Sequence, residues 1–162
     1  MKKLDLSRFK KTMAGLIEFA TLLEQASTVR RKKITEAVGA VDRPFIRKAL
    51  RKVVYFEELE YLDEGILSEI LSKISPTVLA YSLRGMSEGF KKHVLRHLSY
   101  RGMLDVKEEE AKLLANASQA FIEGARVQVL KIARQLEKQN RFVLELADCP
   151  RFKEGKKKGG RL

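Results

Sequence analysis

The chain has no tryptophan and a single cysteine, Cys149, so no disulfide can form within it. That excludes a disulfide-stapled secreted domain and points to a reducing compartment. Proline is nearly as scarce, occurring only at Pro44, Pro76 and Pro150. No apolar run approaches the roughly 18 residues needed to cross a bilayer. The basic start, MKKLDLSRFKK, is followed by no apolar stretch with a small-residue cleavage site, so no signal peptide is read. Neither GxxxxGKS/T nor GxGxxG occurs, which removes the two common glycine-rich phosphate cradles.

What the 162 residues do have is charge, 33 Lys and Arg against 21 Asp and Glu, for a net charge of +12. An apolar content of 44% is enough for a packed core. The positive excess lies in the N-terminal segment, in Arg30–Lys33, in Arg43–Lys52 and in the Lys-rich tail. The stretch from Glu57 to Glu69 is acidic. This excess suggests an anionic partner, whether nucleic acid, a membrane surface or an acidic protein, but positive charge without exposed aromatics or a recognition helix supports at most non-specific phosphate attraction. Here Phe9, Phe19, Phe45, Phe90 and Phe121 fall on apolar faces and are expected in the core.

The apolar spacing is helical throughout. Phe9, Met13, Leu16, Ile17, Ala20 and Leu23 predict a first amphipathic helix, and Val29–Val38 a second. Asp42 before Pro44 is a helix-start signal, because Asp accepts from free N–H groups and Pro has none to lose. Asp63, Ser75-Pro76, Ser87 and Ser99 predict four further starts, and Gly85 suits the left-handed residue after a helix. A last long helix is expected over about Ala120–Lys138. Phe142-Val143-Leu144 is the only strand-like piece. The expected fold is all-α, eight or nine short helices, with bundle and solenoid arrangements both open. The tail from Asp148 onward is expected to be disordered.

His93 and His97, at i and i+4, share a helix face, but no HExxH surrounds them and no third ligand is evident, so no metal site is read. Cys149 has no evident partner base. An enzyme reading and a cofactor therefore find no support. The sharper feature is the helix expected over Ser99–Leu114. At 100° per residue, Asp105, Glu108 and Lys112 fall within about 40° of Arg101, giving a ridge that reads +, −, −, +, with Glu109 to one side. Such a ridge is suited to reading a partner's charges by complementarity.

Val53-Val54-Tyr55 followed by Phe56-Glu57-Glu58-Leu59, then a helical stretch from Leu62 to Arg101, then IEGARVQVLKIARQLEKQ, stand in an order and spacing that resemble the C-terminal part of the FliG family of flagellar motor switch proteins. Phe56-Glu57-Glu58-Leu59, after Val53-Val54-Tyr55, is similar to the family's MFxFEDL hinge. The stretch LDEGILSEILSKISPTVLAYSLRGMSEGFKKHVLRHLSYR and the later IEGARVQVLKIARQLEKQ resemble its following helices, and about Thr12 to Leu59 resembles the linker helix and armadillo-like unit before the hinge.

The resemblance implies an armadillo-like right-handed helical superhelix followed by a small helical domain. Its divisions would be a linker helix and armadillo-like unit over residues 1–55, a C-terminal helical domain over 56–147, and a basic tail over 148–162. It implies a non-enzymatic rotor component at the cytoplasmic face of the inner membrane, engaging a MotA-type stator loop, the switch-ring protein FliM and neighbouring FliG-like subunits. By position, Arg84 stands where the family has a functional Lys, Arg101 at its functional Arg, and Glu108 and Glu109 at its functional Asp pair, with Glu109 and Glu110 the alternative pair. Val53, Val54, Tyr55 and Phe56 stand at the hinge and switch-protein contact.

The family's GPVR turn is replaced by Asn116-Ala117-Ser118, so its functional Arg is lost unless Arg126 or another residue substitutes. The family's N-terminal domain and EHPQ motif are expected to be absent. Two other readings follow from these departures and from the charge: a truncated FliG-like paralogue acting as a helical adaptor, and a basic helical binder of nucleic acid or anionic surfaces.

Overall fold

A computed structural model describes residues 5–113, 117–146 and 148–153. These residues are helical, with no strand among them, and divide into two compact units, Met1–Tyr55 and Phe56–Leu162. No helix among them is long and apolar enough to cross a membrane.

The first unit holds α1 (Ser7–Lys10), α2 (Met13–Gln25), α3 (Thr28–Val41) and α4 (Arg43–Lys52). The single helix expected through Phe9–Leu23 is two. Thr12 is extended at the break, and its hydroxyl accepts the Gly15 N–H at 3.0 Å, capping α2. Gly15 permits the fold-back of α1, because a Cβ there would lie 2.7 Å from the Arg8 carbonyl oxygen. Asp42 caps α4 as expected, accepting from the Phe45 N–H at 2.9 Å. Phe9, Phe19 and Phe45 pack as successive ring contacts, with centroids 5.3 and 5.1 Å apart, around Leu23, Val38, Ile46 and Ala49. By contrast, α3 buries only Val38 and leaves Val29 and Val41 exposed.

The second unit starts with a 3-10 helix, Phe56–Tyr61, followed by α5 (Glu64–Ser72), α6 (Pro76–Leu83), α7 (Glu88–Leu95), α8 (Tyr100–Leu113), α9 (Gln119–Lys138) and α10 (Pro150–Lys153). Side chains of Asp63, Ser75, Ser87 and Ser118 cap α5, α6, α7 and α9. The short α6 is the centre of this unit, packing against both α8 and α9.

Three expectations are corrected here. Phe121 is 69% exposed rather than core, because it falls in the first turn of α9 and meets only the edge of the packing, with its ring 6.1 Å from Tyr81. Phe142–Leu144 joins no sheet, and the Leu144 N–H is taken instead by the Glu137 carboxylate at 2.9 Å. The tail does not lose order at Asp148. Cys149 is buried, and α10 is fixed by a fork in which Arg151 Nε lies 2.7 Å from Glu58 Oε1 and Nη2 lies 3.0 Å from Oε2. The Arg–carboxylate pair supplies what the tail's composition did not advertise. Residues 154–162, the rest of the expected disordered tail, lie outside the described residues.

One buried acid governs the end of the first unit. Glu24 is 1% exposed, and its Oε1 accepts the Val54 N–H at 2.8 Å. Removing that acceptor strands a buried donor, which costs about 1–3 kcal/mol. Glu24→Ala is therefore expected to lower the urea-unfolding stability of the chain by that amount, and Glu24→Gln, which keeps an acceptor oxygen, by less. Equal stability of Glu24→Ala and the parent chain would remove this role.

Candidate functional site

The candidate ridge lies on α8, which starts with the Ser99 hydroxyl accepting the Gly102 N–H at 3.0 Å. Val106 is the one buried residue of this helix and turns it inward. Arg101, Asp105, Glu108 and Lys112 consequently stand on the outer side, as an ordered set of pairs. Arg101 Nε lies 3.0 Å from Asp105 Oδ1, and Lys112 Nζ lies 3.1 Å from Glu108 Oε1. The Arg101 side chain is 85% exposed and that of Glu108 67%. Exposed i, i+4 pairs contribute only about 0.3–0.5 kcal/mol each, so a partner's charges can replace them at little cost.

Glu109 sits differently from Glu108. Its carboxylate takes the Lys112 ammonium at 3.0 Å on one oxygen and the Thr77 hydroxyl at 3.1 Å on the other, which ties α8 to the first turn of α6. The bond from Lys112 and then that from Thr77 hold Glu109 below the ordinary carboxylate range, and the same contacts raise Lys112. Glu110 and Arg84 are found elsewhere again. Together with Ala80, Gly85, Lys91 and Leu113 they line an open hollow of about 290 Å³. The five ridge candidates thus form two groups: Arg101, Glu108 and Glu109 with the paired charges of α8, and Arg84 and Glu110 around the hollow.

Arg126 is no substitute for a presented charge. It is half-buried, with Nε donating to the Ser82 carbonyl at 2.9 Å and Nη2 to the Arg84 carbonyl at 2.6 Å. These are carbonyls at the end of α6, which the helix itself leaves without partners. The cation therefore caps α6 and meets the negative end of its dipole. Burial pulls the Arg126 pKa down from its ordinary value, and Glu57 and Glu123 oppose this. Gly85 follows at φ 76, a left-handed turn that glycine allows. Of the turn that replaces GPVR, Asn116 lies outside the described residues, whereas Ser118 caps α9.

The four hinge candidates are fixed by matching devices. Val53 and Val54 are buried in the first unit. Tyr55 lies under the Arg31 guanidinium, 5.1 Å from its ring centre, and Arg31 Nε caps the end of α2 through the Leu23 carbonyl at 2.8 Å. Phe56, the first residue of the second unit, packs on Phe90 with centroids 5.5 Å apart and lies 5.4 Å from the Arg126 guanidinium. Each unit therefore joins its boundary aromatic to an arginine that caps one of its own helices.

The remaining sequence candidates stay apart from this arrangement. His93 and His97 contact edge to face with ring centroids 5.1 Å apart, and His97 Nδ1 lies 3.3 Å from the Ser68 hydroxyl. Burial first, then Arg96 and His97, lower the His93 pKa. No group of three or more His, Cys, Asp or Glu among the described residues is placed to hold a metal ion. The Cys149 thiol lies 3.4 Å from Glu58 Oε1, and burial pushes its pKa up, opposite to what a thiolate nucleophile needs.

Sequence reasoning missed the roles of Glu24, Thr77 and Arg31, and misassigned Arg126. Two of these had a readable signal. Glu24 sits beside Leu23 on the apolar stripe of α2, and Arg126 falls within about 40° of Ile122 on the apolar stripe of α9. A charged residue on a core-facing stripe is buried only when it is paired.

Two outcomes follow. Arg126→Met is expected to lose about 2–4 kcal/mol in urea unfolding, since it removes two bonds from a charged donor. Arg126→Lys is expected to lose less, and an amide spectrum that leaves Gly85 unmoved in both variants would contradict the clamp. Glu109, with its pKa depressed, contributes above the ordinary carboxylate range and loses that contribution as pH falls through its lowered value. Carbon-13 titration of its side chain is expected to give a midpoint below that of a free Glu, restored toward ordinary by Lys112→Met together with Thr77→Val. An unshifted midpoint in the parent chain would contradict the contacts.

Residues 36–144 match the sequence model of the FliG C-terminal domain. The flagellar motor switch protein FliG of Pseudomonas aeruginosa is 24% identical over 134 residues, which cover 82% of this chain and 39% of that protein. The FliG of Thermotoga maritima is 22% identical over 138 residues, covering 85% of this chain and 41% of that one. The chain thus spans about two fifths of the length of these relatives. Among solved structures, a FliG fragment from H. pylori covers 81% of this chain and 61% of its own, with a TM-score of 0.59 at 18% identity. A shorter H. pylori fragment covers 77% and 55%, with a TM-score of 0.52 at 18% identity. These two show a shared helical fold. With the family model matched over well more than half of its length, the chain belongs to the FliG C-terminal domain family.

Proposed function

We propose that this chain is a non-enzymatic rotor component of a bacterial flagellar motor switch, which presents fixed charges on α8 to the cytoplasmic loop of a MotA-type stator. In this reading it works at the cytoplasmic face of the inner membrane, in a ring of FliG-like neighbours. The hinge segment Val53–Phe56 faces the switch-ring protein FliM. The observation that carries the reading is the family match together with an α8 whose Arg101 and Glu108 stand exposed in weak, replaceable pairs.

The residues divide the work in this reading. Arg101 and Glu108 are the presented charges. Glu109, tied to Thr77, sets the stance of α8. Arg84 and Glu110 form a second charged point at the hollow. Work comes from the ion flow through the stator, and the rotor side needs only charges held in place while partners pass. Fixed charges of this kind supply specificity and fast association more than tight binding.

The test is charge reversal in cells that depend on this protein for swimming. Because one exposed pair is worth only about 0–1 kcal/mol, several charges are reversed together. Arg101→Glu combined with Glu108→Lys and Glu109→Lys is expected to abolish or strongly slow swimming while protein levels stay normal. Unchanged swimming would remove the torque role.

A further inference from the structure

We propose that the exposed side of α4 is a docking surface for an acidic helix of a partner protein, one that carries three carboxylates at four-residue intervals along one side. This surface lies wholly in the first unit and is independent of the reading of α8.

The argument starts from a row of bases. Arg43, Arg47 and Arg51 follow one another at intervals of four residues, and all three are exposed. Four residues of helix rise about 6 Å and turn by about 40°, so the three side chains leave one side of α4 over about 12 Å. None of the three side chains is in a hydrogen bond or an ion pair with another described residue. The nearest acid in sequence, Asp42, is already taken by Lys10 at 2.6 Å and by the Phe45 N–H at 2.9 Å.

The row works against the helix that carries it. Like charges at i and i+4 destabilise a helix. Arg43 adds to this, because it stands in the first turn, where the dipole favours acids and α4 has none. Arg51, in the last turn, is the one member that the dipole favours. Local choices that cost stability and gain nothing inside the fold mark a surface with an outside role. The groove beside the row repeats the pattern. Arg43 and Arg47 border an open hollow of about 650 Å³, lined also by Gly39, Ala40 and Ile46, with Glu36 as its one acid. Glycine weakens the interior of α3, and packing does not demand it, since a Cβ at Gly39 would meet Ile46 Cγ2 at an ordinary 3.7 Å. The missing side chain leaves room for another helix to come close.

These features choose among anionic partners. A straight helix with carboxylates at i, i+4 and i+8 repeats them every 6 Å or about that, the spacing of the arginine row, and each carboxylate fits a guanidinium fork. A nucleic acid is anionic on every side and would bring phosphate against Glu36. Phe9, Phe19 and Phe45 are buried and Tyr55 lies under Arg31, so these rings are not open to stacked bases. A membrane surface calls for apolar side chains beside the charges, and the exposed side of α4 carries Pro44 and Lys48 there instead. The partner helix is not one of this chain's own, since its acids stand four residues apart only as Glu60 with Glu64 and Asp105 with Glu109.

The experiment uses the full chain labelled with nitrogen-15 and two helical peptides of equal length and composition. One carries Glu at i, i+4 and i+8, and the other at i, i+5 and i+10, which spreads the acids round the helix. At low ionic strength the row peptide is expected to shift the amides of residues 39–51 and to bind at least about fivefold more tightly than the spread peptide. Arg43→Gln, Arg47→Gln and Arg51→Gln together are expected to abolish that preference, while the urea midpoint stays the same or rises. Arg47→Gln alone, in the middle of the row, is expected to weaken the row peptide about twofold. Equal binding of the two peptides to the parent chain overturns the proposal. Tighter binding of a single-stranded oligonucleotide or of phosphatidylglycerol vesicles than of the row peptide overturns the acidic helix as the partner. A fall in the urea midpoint of the triple variant gives the arginines to the fold and overturns the docking role.

Discussion

Two arginines that cap helix ends hold this molecule's working parts in place. Arg126 reaches from α9 to the carbonyls of Ser82 and Arg84 at the end of α6, and Arg31 reaches from α3 to the end of α2. The last turn of a helix always leaves carbonyls without partners, and burying them unpaired is costly. An arginine from a neighbouring helix satisfies them and opposes the dipole at the same time. In the second unit the consequence spreads, because α6 packs against both α8 and α9. With its end fixed by Arg126 and its first turn tied through Thr77 to Glu109, α6 determines where α8 stands. The same two guanidiniums lie near Tyr55 and Phe56, so each unit's boundary aromatic rests on a cap of its own.

The ridge on α8 follows a different physical rule from these clamps. Its charges stand in solvent and pair along their own helix, where each pair is weak and sensitive to salt. That combination suits a surface that must be specific yet quickly released. The pair of Glu58, whose side chain is buried, with the partly exposed Arg151 is the contrasting case. Breaking it leaves a charge without compensation, so it belongs to the fold rather than to a passing contact. Most of the chain's positive excess lies in the first unit, and the proposed working face of the second is nearly balanced in sign. A balanced, ordered ridge selects a partner by pattern, whereas a basic patch attracts any anion.

Much of this was legible in the sequence. Asp42, Asp63, Ser75, Ser87 and Ser99 announced helix starts that the backbone uses, because capping is a local matter of one side chain and the next three residues. Gly85 announced its left-handed turn for the same reason. The i, i+4 spacing along α8 gave the ridge. The break at Thr12 was hidden because the apolar period runs through it unchanged, and only the close approach permitted by Gly15 reveals it. Phe121 looked like core by its period, yet a helix's first turn overhangs the packing. The roles of Arg126 and Arg31 depend on carbonyls some 42 and 8 residues away, which spacing within one helix does not show. The order of the chain through Arg151 likewise depends on Glu58, 93 residues earlier.

The proposed function stands or falls on what α8 touches in the cell. A photoreactive phenylalanine placed at Leu104, beside the ridge and outside the buried face, reports that contact directly. The account predicts an ultraviolet-dependent adduct with the cytoplasmic loop of the stator subunit, absent from cells lacking the stator and reduced when Arg101 and Glu108 are reversed together. An adduct pattern unaffected by removing the stator would contradict it.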